Sequence, residues 1–206
     1  MAQRSERLAE LRRAQILEAA ARAMAKRGVD GVRLADVARE AGISIGLIQH
    51  YFDSRVQLLA ATFEAFNNAF IDNWKKSVTE HPDPVARVRM LIHLCVFERD
   101  DWRELWWPLW VEFWSISLRD DQFRAQYEDI YERWRVSIRE AIQVGISEGM
   151  FTPESPVDDV VDRLTATIEG LRVQALLEPA RMPRDRMFSL LLRFVEQELR
   201  CPVPGD

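Results

Sequence analysis

Between Ser44 and Arg55 stand side chains suited to holding a nucleic acid. Ser44, Tyr51 and Arg55 supply two hydroxyls and one cation, groups that bind phosphate oxygens. Gln49 can pair bidentately with adenine, and Ile45 can touch a thymine methyl. His50 joins them, and Gly46 lets a backbone approach closely. Upstream, Arg33 can reach a phosphate directly. A second group of residues lies further along. Five of the seven tryptophans fall between 102 and 114, and Trp102, Trp106, Trp110 and Trp114 recur every four residues, a drifting stripe on one helix. Among them stands Glu112, the only acid between Glu104 and Asp120. A buried carboxylate is costly unless paired. Its partner is either an internal arginine such as Arg172 or a bound cation, whose preferred surroundings are Trp and Tyr rings.

The first group needs two short helices. Leu34, Val37, Ala38 and Ala41 share one face of a helix that Gly42 can end and Ser44 can follow as the cap of the next. A three-residue turn then sets the second helix, Ile45 to about Phe52, for a major groove. Ile48 and Phe52 face inward, leaving Ile45, Gly46, Gln49 and His50 toward the bases. The bland alternatives are that Ser44 only caps, Tyr51 only packs and His50 is only solvated. Arg4, Arg7, Arg12 and Arg13 offer further backbone or minor-groove contacts, or a solvated face shared with Glu6 and Glu10.

Around this motif the periodicity is helical throughout, so the chain reads as all-α. A first helix over about 8–27 turns Leu11, Ile16, Ala20, Ala23 and Met24 inward. Ser54 and Gln57 make a capping box that opens a long fourth helix with the stripe Leu59, Phe63, Phe66, Phe70 and Trp74. Later helices read as roughly 84–98, 102–118, 121–148, 156–178 and 184–200. The Trp-rich helix is apolar almost all round and therefore central, with Pro108 kinking it. Tyr127, Tyr131 and Trp134 on the next helix can add walls to a pocket with Phe66, Trp106, Trp110, Glu112 and Trp114; His93 and Cys95 pack. The penultimate helix carries two stripes, one through Val160, Leu164 and Ile168 and another through Gly170, Val173, Gln174 and Leu177. With Leu190, Leu191, Phe194, Val195 and Leu199 on the last helix, this surplus apolar surface fits a symmetric four-helix interface or, alternatively, internal core alone.

Val37-Ala38, Ala41-Gly42-Ile43-Ser44, Tyr51-Phe52, the cationic Arg55 and Leu58 together resemble the TetR family of transcriptional regulators. His50-Tyr51-Phe52, Trp110 to Trp114 and Ile168-Glu-Gly-Leu171 are similar to its choline-responsive BetI branch. The resemblance implies an N-terminal helix-turn-helix DNA-binding domain over 1–54 and a C-terminal helical effector-binding and dimerisation domain over 55–206. It implies a homodimer on a palindromic double-stranded operator, a repressor released by a small molecule, and a phosphate role for Tyr51. Where that family usually has Lys, Arg55 keeps the charge. Where it usually has Thr or Ser, Arg33 cannot cap as a hydroxyl would.

Charge distribution points the same way. The 206 residues carry a net −5, but residues 1–56 hold ten Lys and Arg against seven Asp and Glu, and the remainder eighteen against twenty-six. A basic end on an acidic body suits DNA contact through that end. Cys95 and Cys201 match no redox or ligand spacing, no apolar leader opens the chain, and no run is long enough to span a bilayer, so a cytoplasmic protein without membrane, metal or cofactor is expected. Enzymatic use of Glu112 as an acid or base is the competing class. It lacks support from His50, His81 and His93, which share no nucleophile–base or metal spacing. A DNA-binding protein with no effector is the third reading.

Overall fold

The computed structural model describes residues 2–81, 83–97 and 103–201, with side chains over 6–76, 81, 83–97 and 107–201. Among the described residues the regular elements are nine α-helices: α1 (Ala2–Arg27), α2 (Leu34–Ala41), α3 (Ile45–Tyr51), α4 (Arg55–Glu80), α5 (Pro84–Val96), α6 (Arg103–Ser117), α7 (Asp121–Ser147), α8 (Val157–Leu177) and α9 (Arg184–Leu199).

Local chemistry sets most of the ends. The α2 helix stops in a Schellman turn: Gly42 adopts φ 66°, and the Ile43 amide donates to the Ala38 carbonyl at 3.0 Å. Ser44 Oγ accepts from the Leu47 amide at 3.2 Å, capping α3. At the head of α4, Ser54 Oγ accepts from Gln57 N–H at 3.1 Å, while the Gln57 side chain reaches the Asp53 amide, one residue earlier than a capping box requires. Asp83 caps α5 ahead of Pro84, and Asp120 caps α7.

The chain forms two compact units, Met1–Ala69 with Glu104–Glu128, and Phe70–Arg103 with Asp129–Asp206. In the first, α1 packs on α2 and α2 on α3. Ile16, Ala20, Met24, Val37, Ile48 and Phe52 are buried there, and Arg22 and Lys26 both bind the Glu40 carboxylate at 3.0 Å. The Lys26 hydrogen bond is the main reason that this carboxyl is held below its ordinary range. In the second, α9 packs on α8 and α5, burying Val160, Leu164, Ile168, Leu191, Val195 and Leu199.

Two sequence expectations change. The first helix starts at Ala2 rather than near residue 8, and Leu11 is 61% exposed, not inward. Gln15, which donates to the Ala41 carbonyl at 3.0 Å, lies one turn beyond Leu11, and burial along α1 begins only there. Nor is α6, although apolar almost all round, buried all round. Leu109 and Phe113 are buried, yet Val111, Ser115 and Leu118 form an exposed face. Trp102, Asp100 and Asp101 lie outside the described residues, as do the side chains of Arg4, Leu105 and Trp106.

Candidate functional site

The exposed surface of α3 follows from its buried one. Ile48 and Phe52, four residues apart, are fully packed, and the Arg13 guanidinium lies 5.2 Å from the Phe52 ring centre. The opposite face then carries Ile45, Gly46, Gln49 and His50, all exposed. Ile45, 42% exposed, puts an apolar side chain on this face. A Cβ on Gly46 would come no closer than 4.0 Å to Ser44 Oγ, so the head's own packing does not need glycine there. Tyr51 is half-buried, its ring edge-on to His50 at 5.3 Å.

Arg33 is exposed at the first turn of α2. As expected of a residue without an acceptor, it does not cap; Asp36 caps instead, its Oδ2 accepting from the Arg33 amide at 3.1 Å. The Asp36 carboxylate also pairs with Arg27 and Arg39, at 3.5 Å each.

Arg55 has partners inside the chain. Its guanidinium turns inward, Nε donating to the Val32 carbonyl at 2.6 Å and a terminal N–H to the Val29 carbonyl. The connection between α1 and α2 has no helix to satisfy its carbonyls, and Val29 and Val32 are buried. Arg55 therefore supplies structure to this loop before it supplies charge to a phosphate.

Glu112 also has an internal partner. Its Oε2 accepts from the Val29 amide at 2.7 Å, so α6 meets the same connection from another side. The partner that the sequence left open is a backbone N–H. Next to it in sequence, the fully buried Phe113 gathers Trp110, Tyr127, Phe63 and Phe123, with ring centres 4.4–6.4 Å apart. Phe66 is buried in the same unit and Trp114 is half-buried.

Tyr131 and Trp134 belong to the second unit and lie edge-to-face at 6.0 Å. There the structure supplies a carboxylate that the sequence reading passed over. Glu169 on α8 feels the Tyr131 hydroxyl and the Arg135 charge, and Arg135 lies 5.8 Å from the Tyr131 ring centre. Burial, the largest effect, pushes the Glu169 carboxyl above its ordinary value, against the opposing Tyr131 hydroxyl and Arg135 charge. Among the described residues, Glu169 Oε1, Trp134 Nε1 and Thr165 Oγ1 are buried with no hydrogen-bond partner. The available signal was an acid directly after Ile168 in the apolar stripe of α8.

Among the described residues, no His, Cys, Asp and Glu cluster is arranged to hold a metal, and no helix is long and apolar enough to cross a membrane. Residues 16–62 match the bacterial regulatory proteins of the tetR family, and residues 84–200 match the BetI-type transcriptional repressor C-terminal family. The chain is 28% identical over 189 residues to the HTH-type transcriptional regulator PksA of Bacillus subtilis (91% of this chain, 89% of that one). It is 31% identical over 187 residues to the HTH-type transcriptional regulator BetI of Burkholderia cenocepacia (89% and 90%). A transcriptional regulator of Saccharomonospora viridis solved in complex with choline superposes with a TM-score of 0.82 at 29% identity, covering 91% of this chain and 96% of that one. With a helix-turn-helix in the N-terminal match and an all-helical BetI-type region behind it, the chain belongs to the TetR family of transcriptional regulators and is not an enzyme.

Proposed function

We infer that this regulator is a cytoplasmic homodimeric repressor that holds a palindromic operator and leaves it when a small organic cation binds in its second unit. Ile45, Gly46, Gln49 and His50 read base edges, while Arg33, Ser44 and Tyr51 meet phosphates. The dimer reading is supported by α8, where Gly170, Gln174 and Leu177 line an exposed stripe and Leu177 is 77% exposed. A Cβ on Gly170 would meet nothing within 4 Å, so this small residue answers no contact inside the chain.

The observation that carries the effector class is the Glu169 carboxylate, buried against Tyr131 with Trp134 beside that ring. A cation meets both the charge and the aromatic faces, and each ring contributes about 0.5–2 kcal/mol to a desolvated cation. The partnerless Oε1 of Glu169 and Nε1 of Trp134 give a bound molecule polar groups to engage or displace. Because Glu112 is committed to Val29, the countercharge is assigned to Glu169 rather than to Glu112. The S. viridis relative, which holds the quaternary ammonium choline, supports the same class.

A thermal-shift panel of choline, spermidine, a neutral aromatic and a fatty acid tests this reading on the wild type and Glu169→Gln. Stabilisation by cations that is lost in Glu169→Gln is expected. The best cation should also weaken binding to a duplex enriched by the wild-type protein, by roughly 5- to 150-fold. Stabilisation by the neutral or anionic compounds alone would overturn the cation assignment. No response to any compound would favour a regulator without an effector of these classes.

A further inference from the structure

The α1–α2 connection is a short stretch of irregular backbone held from two sides by charged side chains. It begins at Gly28, whose amide donates to the Met24 carbonyl at 2.8 Å and whose φ of 72° turns the chain out of α1. Val29 follows, with its N–H on Glu112 of α6 at 2.7 Å and its C=O on Arg55 of α4. Asp30 pairs with Arg119, just past α6, at 3.1 Å. Val32 C=O takes the second Arg55 bond at 2.6 Å, and Arg33 then opens α2. Bonds with one charged partner are about twice as strong as neutral ones. The connection is thus fixed less by its own turns than by what α4 and α6 present to it.

We propose that Glu112 is a positioning residue for DNA recognition. By holding the Val29 amide, α6 sets where the chain re-enters α2, and through the tight Gly42–Ser44 turn it sets the placement of the base-reading face of α3. The residue type supports a role beyond plain stability. Glu112 Oε2 sits 3.3 Å from where a Gly28 Cβ would be, against the carboxyl end of α1, and the helix dipole disfavours an anion there. A neutral acceptor would meet the amide without that repulsion. A carboxylate gives a stronger and more directional hold on one N–H, which is what fixing a loop requires.

The test uses the full-length protein and a duplex enriched from a random pool by the wild type. Glu112→Leu removes the acceptor and is expected to lower affinity for that duplex at least tenfold. Hydrogen exchange at the Val29 amide should quicken at least tenfold, while exchange at the capped Leu47 amide stays unchanged. Glu112→Gln keeps an oxygen in place and should lose threefold or less. Gly28→Ala crowds the same carboxylate and also strains the backbone at φ 72°, so only its coupling with Glu112→Leu, a combined loss smaller than the product of the two single losses, reports on this contact. Should Glu112→Leu not fold, the smaller Glu112→Ala removes the same acceptor and carries the same comparison against Glu112→Gln. Wild-type affinity in Glu112→Leu, or losses in all variants that only follow the fraction unfolded with Val29 exchange unmoved, would overturn the proposal. A wild type that enriches no duplex would overturn it by a different route, through the DNA-binding assignment on which it rests.

Discussion

Arg55 Nε donates to the Val32 carbonyl at 2.6 Å, which places the first residue of α4 in charge of the loop ahead of α2. This contact lies within the first unit and ties the start of α4 to the loop between α1 and α2.

Replacing Arg55 by Ala leaves two carbonyls of buried residues without a donor, at a cost of about 2 kcal/mol. Lys at 55 keeps the charge but cannot fork to both carbonyls, and should recover about half of that loss. Urea unfolding of wild type, Arg55→Ala and Arg55→Lys measures this. If Lys restores full stability, the charge and not the fork is what the site needs.

Ser44 and Gln49 should separate cleanly although they lie on one short segment. Ser44→Ala removes the cap on Leu47 N–H and should cost about 1 kcal/mol of stability. Gln49→Ala, on an exposed position, should stay within about 0.5 kcal/mol of wild type. Its effect belongs to recognition: preference should relax at one or two base positions in a repeated selection. An unchanged selected sequence would remove Gln49 from the base-reading set.

The exposed stripe on α8 makes Gly170 the sharpest probe of assembly. Gly170→Arg introduces a bulky cation where the chain itself leaves open space, so the monomer should remain folded. Sedimentation equilibrium should then show monomer where the wild type shows dimer, with operator binding weakened in step. Dimers at equal strength in Gly170→Arg would move the interface elsewhere.

Glu169 makes both stability and cation affinity depend on pH. Its carboxyl is raised in the fold, so the unfolded chain gives up this proton first as pH rises. Between the ordinary value of 4.5 and the higher folded value, the native state holds more protons, and stability falls with rising pH. A bound cation favours the ionised form, so choline affinity should rise through the same window with release of a proton. Titration calorimetry in buffers of different ionisation heat, with Glu169→Gln as control, reads both. Affinity that is flat across this window in the wild type would exclude Glu169 as the countercharge.

Much of this protein is determined along the chain. The α2–α3 motif rests on neighbours within four residues: Gly42 tolerating φ 66°, Ser44 capping Leu47, and Ile48 and Phe52 falling on one face. Such features depend on backbone geometry and short-range hydrogen bonds, and periodicity reveals them. The later helices follow for the same reason, their punctuation by Asp83 and Asp120 being local capping. What tertiary structure decided are the partners of charged groups. Arg55 and Glu112 look alike in sequence whether they face solvent, ligand or loop, because a buried carbonyl or amide 23 or 83 residues away leaves no mark on the residues beside them. Glu169 was hidden for the opposite reason: one acid after Ile168 looks like an ordinary solvated position until α7 brings Tyr131 against it. Local geometry set the helices, and the desolvation of long-range charged contacts decided which of their charged side chains hold the fold.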